Sequence, residues 1–131
     1  MYMETLEEYI KKHRENKEKA SSFYSYLLEL MDKYGFDKES DLYNKANISK
    51  EVWSNIKLGK SHPSLKVCYK LVFALGVDNH ECKYLLKKAG YTLSSSNEYA
   101  LIIRYGIENK LNIDEVNDLL DKNGYSDQLI Y

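Results

Sequence analysis

The residue types best suited to recognise another molecule lie in one short segment, Ser49–Lys60. At about 100° per residue, a helix in this segment places Val52, Trp53 and Ile56 together on one side. The opposite side carries polar and charged residues: Lys50, Glu51, Ser54, Asn55 and Lys57. Lysine can hydrogen-bond guanine, asparagine can pair with adenine, and glutamate can accept from the cytosine amine. The spacing therefore predicts an amphipathic helix whose outer face fits base edges.

The local charge of the chain agrees with this interpretation. Across 131 residues, 19 basic and 20 acidic residues give a formal charge of −1, so no overall basicity indicates a nucleic-acid partner. Residues 41–70, however, hold six lysines and two acids, a net +4. The flanking ranges 1–40 and 71–131 carry −2 and −3. The positive charge is thus concentrated around the predicted outer face.

Helices must position this face, because one Pro and six Gly leave few turns for a many-stranded sheet protein. Asn47 suits a left-handed turn, and Ser49 and Ser64 suit helix N-caps. Gly35, Gly59 and other glycines suit helix ends. The apolar periodicity predicts helices over 3–20, 21–34, 37–46, 49–59, 64–76, 79–89, 97–108 and 113–123.

Residues 41–77 resemble the helix-turn-helix of the lambda repressor, Cro and xenobiotic-response-element regulator superfamily. The match has no gaps and spans two turns and three helices. The matching positions are Leu42, Ala46, Ile48, Ser49, Ile56, Gly59, Lys60, Pro63, Ser64, Leu65, Leu71, Ala74, Leu75, Gly76 and Val77. Almost the whole chain is similar to small stand-alone helix-turn-helix proteins of bacteria and mobile elements, which also occur fused to macro domains.

The resemblance implies a set of site residues for double-stranded DNA. It assigns base contacts to the outer face, at Lys50, Glu51, Ser54 and Asn55. It assigns phosphate contacts to Ser49, Lys57 and Lys60, with Ser61 and His62 beside them, and Lys38 stands where the family often has a phosphate-binding Gln. We therefore expect a sequence-specific transcriptional regulator of the repressor type, from a bacterium or mobile element.

The expected fold class is all-α, with a lambda-repressor-like core and helical additions at both ends. Residues 1–20 form a polar N-terminal arm, 21–92 the DNA-binding core, and 93–131 a two-helix C-terminal extension. The extension is rich in apolar residues, which could cover the core or form a two-fold interface. Because repressors of this type commonly dimerise, we expect a homodimer that holds two recognition helices about 34 Å apart.

A second hypothesis is a protein-interaction or inhibitor module that reuses the fold, such as a mobile-element factor that acts on a host defence system. Three features favour that alternative: the chain is slightly acidic, it has thirteen tyrosines, and it has only two arginines. Both arginines, Arg14 and Arg104, lie outside residues 41–77. Specific DNA readers use arginine on guanine more than any other contact.

Other kinds of site have little support in the sequence. His80, Cys82 and Cys68 lack the spacing of a zinc site, so we expect no metal, and nothing indicates another cofactor. No phosphate-binding glycine loop or nucleophile–base arrangement is present, which argues against an enzyme. The start has no secretory pattern, and the longest apolar stretch, Leu71–Val77, is too short to span a bilayer. We expect a soluble cytoplasmic protein without a membrane partner.

Overall fold

The computed structural model describes residues 4–10, 23–60, 62–92 and 97–131. Residues 6–10 are helical and exposed. Seven helices follow: α1 (Phe23–Lys33), α2 (Glu39–Lys45), α3 (Lys50–Leu58), α4 (Leu65–Leu75), α5 (Asn79–Lys88), α6 (Glu98–Glu108) and α7 (Ile113–Lys122). Every regular element in these ranges is a helix, which confirms the all-α prediction. Residues 1–3 and 11–20 of the predicted arm, 21–22 and Ser61 of the predicted core, and 93–96 of the predicted extension lie outside the described residues.

The connection between α2 and α3 is a tight turn at Ala46–Ile48. Asn47 has φ +56°, the left-handed conformation expected from the sequence. The Ile48 N–H donates to the Tyr43 carbonyl at 2.8 Å, which closes the turn. Ala46 and Ile48 are both buried, so the turn is anchored to the core on both sides of Asn47. This turn sets the direction in which α3 leaves α2.

Helix α4 lies at the centre of the molecule and contacts α2, α5 and α7. Its residues Cys68, Leu71 and Val72 have almost no exposed surface. The helix begins at the predicted cap, where Ser64 Oγ accepts from the Val67 N–H at 3.1 Å, and it ends at Gly76 with φ +77°. Helix α4 is therefore capped at both ends and packed against three other helices.

The C-terminal helices close the hydrophobic core rather than projecting from it. Helices α6 and α7 pack on each other, on α5 and on α4. Gly106 allows a close approach of the two helices, because a Cβ atom built there would lie 2.5 Å from Val116 Cγ2. The chain then returns across α7, where buried Asn117 holds the backbone of Ile130 by two hydrogen bonds of 2.7 and 2.6 Å. The apolar tail thus supplies core residues, including Ile103, Leu120 and Ile130.

The described helices are also short. Across residues 4–10, 23–60, 62–92 and 97–131, none combines the length and apolar character that a bilayer-crossing helix requires.

Candidate nucleic-acid interface

Helix α3 is anchored to the core by its inner side. Trp53, 4% exposed, and Ile56 are the buried residues of this helix. Ser49 is the N-cap, and its Oγ accepts from the Val52 N–H at 3.1 Å. Gly59, with φ +66°, ends the helix and allows the Lys60 N–H to donate to the Asn55 carbonyl at 3.0 Å. Both predicted caps are thus in place, and the helix is held on α1 and α2.

The outer side of α3 remains exposed. Lys50, Glu51 and Ser54 are exposed, whereas Asn55 is half-buried beside the C-terminal cap. These four predicted base-contacting residues therefore lie on one surface, with Asn55 at its inner edge. We call the surface formed by Lys50, Glu51, Ser54, Asn55 and Lys57 the α3 face.

One prediction for the inner side was wrong. Val52 was expected to pack with Trp53 and Ile56, but it is 38% exposed. The reason is that α1 and α2 cover a stripe centred between Trp53 and Ile56, and Val52 lies on the flank of this stripe. Leu58 is 61% exposed and follows Ser54 by four residues, so it lies on the polar side itself, whereas Val52 lies at the border of the α3 face.

The predicted phosphate-contacting residues lie around this face. Ser49 and Lys60 are exposed at the two ends of α3, and His62 is exposed in the following loop. Lys38 is the exposed N-cap residue of α2 and makes no side-chain capping bond. Lys57 is half-exposed, and its Nζ lies 3.7 Å from Glu39 Oε2.

The net +4 of residues 41–70 is not all directed at the α3 face. Lys70 Nζ donates to the Asn47 carbonyl at 3.2 Å, so this lysine braces the turn. Burial, and then the nearby charge of Lys66, lower the pKa of Lys70. Lys45 Nζ lies 5.5 Å from the centre of the Phe36 ring. The cations of the α3 face are Lys50 and Lys57, and Lys60 lies just beyond the C-terminal end of α3.

Sequence reasoning missed Glu39, which connects three helices. Its Oε1 accepts a short hydrogen bond from the Tyr24 hydroxyl of α1 and a 3.0 Å bond from Trp53 Nε1 of α3. The hydrogen bond from Tyr24 is the main reason that the pKa of Glu39 lies below its usual range. Burial, together with Glu39, raises the pKa of Tyr24 to about 12. An acidic residue in the first turn of a helix is common, so the sequence carried no signal for this role.

Metal ligands and nucleophiles are not clustered in the described ranges. No group of three or more His, Cys, Asp or Glu residues there has the arrangement to hold a metal ion. Cys68 and Cys82 are buried, and burial raises the pKa of both thiols to about 12, so neither forms a thiolate near neutral pH. The pair behaves as small core residues.

A tyrosine-lined groove of about 620 Å³ lies between the start of α4 and the C-terminal segment, and no residue of the α3 face lines it. Tyr99 contacts Tyr69 and Tyr125, at ring-centre distances of 6.2 and 5.5 Å. The Tyr99 hydroxyl donates to the Gln128 carbonyl at 2.8 Å, which ties the groove to the C-terminal segment. These rings contribute mainly to packing of the extension.

Comparison with known proteins assigns no family or function to the chain. No protein-family model, no curated protein and no solved structure matches the chain. The resemblance to the helix-turn-helix superfamily therefore stays a prediction that rests on the residues of 41–77.

Proposed function

We propose that this chain is a sequence-specific DNA-binding regulator of transcription that places α3 in the major groove of duplex DNA. The observation that carries the proposal is the exposed α3 face on a helix whose opposite side is anchored by Trp53 and Ile56. An α-helix with its side chains is about 10–12 Å across, which matches the width of about 12 Å of the major groove. A groove-binding helix needs both a rigid attachment and an exposed polar side.

Base contacts would come from the first two turns of α3. Lys50 and Ser54 are four residues apart and so lie in one row, with Glu51 beside them. Lys50 can donate to guanine O6 and N7, Glu51 can accept from the cytosine amine, and Ser54 can do either. Asn55, half-buried, can reach adenine only from the edge of the face.

Phosphate contacts would come from the ends of the helix and from its neighbours. The Ser49 oxygen already accepts from the Val52 N–H, so its hydroxyl hydrogen can be donated to a phosphate. The first amides of α3 have no partner within the helix and favour an anion at the same place. Lys57, Lys60, Lys38 and His62 would add cationic or polar contacts along the flanking backbone.

The experiment is duplex binding as a function of salt. Each phosphate contact contributes about 0.9 to the slope of log affinity against log salt, or about a 3.5-fold loss of affinity between 50 and 200 mM salt. Lys57→Ala with Lys60→Ala should lower the slope by about 1.8 for each bound protomer. Lys50→Ala should instead alter the preferred sequence in a selection from randomised duplexes.

The control is Lys83→Ala, which removes an exposed lysine from α5, a helix packed on α1, α4 and α6. This variant changes the net charge without touching the α3 face, so its salt slope should equal that of the parent protein. An equal loss of slope in Lys83→Ala and in the α3 variants would show that binding follows net charge rather than this face. Absence of duplex binding at low salt would refute the proposal.

A homodimer is part of this proposal. Two recognition helices about 34 Å apart would contact successive turns of the major groove and read a palindromic site. Leu101 and Tyr105 are four residues apart on α6 and remain exposed, so this helix keeps apolar surface after the core is complete. Sedimentation equilibrium, with and without duplex, should detect a dimer, and Leu101→Ala with Tyr105→Ala should weaken it.

A second candidate function, binding to another protein, is favoured by two exposed apolar side chains at the α3 face. Val52 and Leu58 are exposed beside the lysines, a mixture that suits a protein surface as well as a thymine methyl group. Leu58→Ser separates the two candidates. It should leave the salt slope of DNA binding unchanged, whereas it should disrupt a complex in which Leu58 is a buried anchor.

A further inference from the structure

Glu39 connects the α3 face to the rest of the molecule. One carboxylate oxygen accepts from Tyr24 of α1 and from Trp53 of α3, and the other lies 3.7 Å from Lys57 Nζ. We propose that Glu39 is a positioning residue of the α3 face, which orients α3 through Trp53 and holds Lys57 until a DNA phosphate displaces the carboxylate. The second part of this inference rests on the proposed function.

The orientation of α3 depends on how Trp53 is held. Its ring lies edge-on to Tyr24, with ring centres 6.2 Å apart, and is tilted against Tyr43 at 5.7 Å. Ring contacts restrict the indole without defining its direction, whereas the 3.0 Å bond from Nε1 to Glu39 defines it. A buried indole N–H that loses its acceptor is left without a partner unless the site opens to water, and either outcome destabilises the native orientation of the ring.

Lys57 reaches the same carboxylate because it follows Trp53 by four residues and so lies at the edge of the α3 face nearest to Trp53. The Lys57 side chain is 52% exposed and that of Glu39 is 34% exposed. An ion pair this accessible is weak, and a phosphate can compete for the lysine. After the exchange Glu39 still accepts from Tyr24 and Trp53, so no carboxylate is left without a hydrogen-bond donor.

The first test measures the competition for Lys57. Glu39→Gln removes the negative charge but keeps an oxygen that can accept from Trp53. Duplex affinity should rise about 1.5- to 5-fold at low salt, the range expected for loss of one exposed ion pair. The rise should vanish when Lys57 is also replaced by Ala. Glu98→Gln is the control, because Glu98 is likewise an acid in the first turn of a helix but is exposed on α6.

A rise in the Glu39→Gln variant that persists without Lys57, or an equal rise in Glu98→Gln, would overturn the competition, since general charge would then explain the effect. No duplex binding by the parent protein would overturn it together with the proposed function.

The second test needs no DNA and addresses the orientation of α3. Trp53 is the single tryptophan of the chain, so its indole N–H gives one resolved resonance in a ¹⁵N-labelled sample. Glu39→Ala should shift this resonance and accelerate its exchange with solvent, and Glu39→Gln should restore most of the protection. If Glu39→Ala unfolds the chain, the test rests on Glu39→Gln. In that variant the positioning role predicts a changed chemical shift of the Trp53 indole N–H, with its protection from solvent exchange retained. An unaltered indole resonance in either folded variant would overturn the positioning role, whatever the result with DNA.

Discussion

Replacing Gly106 with alanine should create a clash between α6 and α7 and lower the free energy of unfolding. A methyl group at this position would lie 2.5 Å from Val116 Cγ2 and 3.4 Å from Phe73 Cε1, well inside contact distance of the valine. Gly106 lies within α6 and is not among the residues with positive φ, so the backbone accepts alanine without strain. Any destabilisation must therefore come from the side-chain clash.

The magnitude follows from two opposed contributions. Alanine in a helix interior is favoured over glycine by about 0.5–1 kcal/mol. Overpacking of a close-packed core costs about 1–3 kcal/mol. The net expectation for Gly106→Ala is a loss of about 0–2.5 kcal/mol in the free energy of unfolding, rather than the gain that helix propensity alone would give.

A double-mutant cycle isolates the clash. Val116→Ala alone should cost roughly 2–3 kcal/mol, from lost apolar burial and the space left behind. In the double variant the new methyl occupies part of that space, so the combined cost should be smaller than the sum by about 1–2 kcal/mol. Urea denaturation followed by Trp53 fluorescence gives each value, provided that the denaturant slope is unchanged. Additive costs, or a net stabilisation by Gly106→Ala, would refute this packing of α6 on α7.

Further predictions concern the C-terminal segment and acid stability. Asn117→Ala should lower the free energy of unfolding by about 2–3 kcal/mol, because the buried N–H and carbonyl of Ile130 lose their partners. The Ile130 amide should also exchange faster with solvent, and unchanged exchange would contradict the observed pairing. Burial of Glu81 opposes ionisation, but hydrogen bonds from Lys33 and Tyr34 lower its pKa below the usual 4.5. Its stabilising contribution should thus be complete above pH 4.5 and be lost as the pH falls through the folded-state pKa, and Glu81→Gln should flatten this acid limb in pH-dependent urea denaturation. A Glu81→Gln profile parallel to that of the parent would assign the acid limb to other carboxylates.

Local signals in the sequence were sufficient to predict the helices. Ser49 and Ser64 cap α3 and α4, Asn47 forms the turn, and Gly59 ends α3, because each depends on neighbours within a few residues. The exposure of the α3 face followed from the same periodicity. Function did not follow in this way, and the DNA-binding role remains a proposal.

Features that depend on contacts distant in sequence were not predictable. Glu39 meets Tyr24 and Trp53 across intervals of 15 and 14 residues, and no periodicity encodes such a meeting. The position of Val52 on the flank of α3 depends on how far α1 and α2 cover that helix. The sequence left open whether the apolar tail covers the core or forms an interface. In the structure Ile103 and Ile130 are buried in the core, whereas Leu101 and Tyr105 stay exposed.

If α3 lies in the major groove with its outer side against the bases, mapping of the backbone amides should show it. A ¹⁵N-labelled sample is titrated at low salt with a duplex selected from a randomised library, and backbone shifts are followed along the chain. Shifts should concentrate from Ser49 to Lys60, with Lys38 and His62 also affected, while the amides of α6 and α7 change little outside any dimer contact. Shifts confined to α6 and α7, or no saturable shift in α3, would contradict this placement of α3.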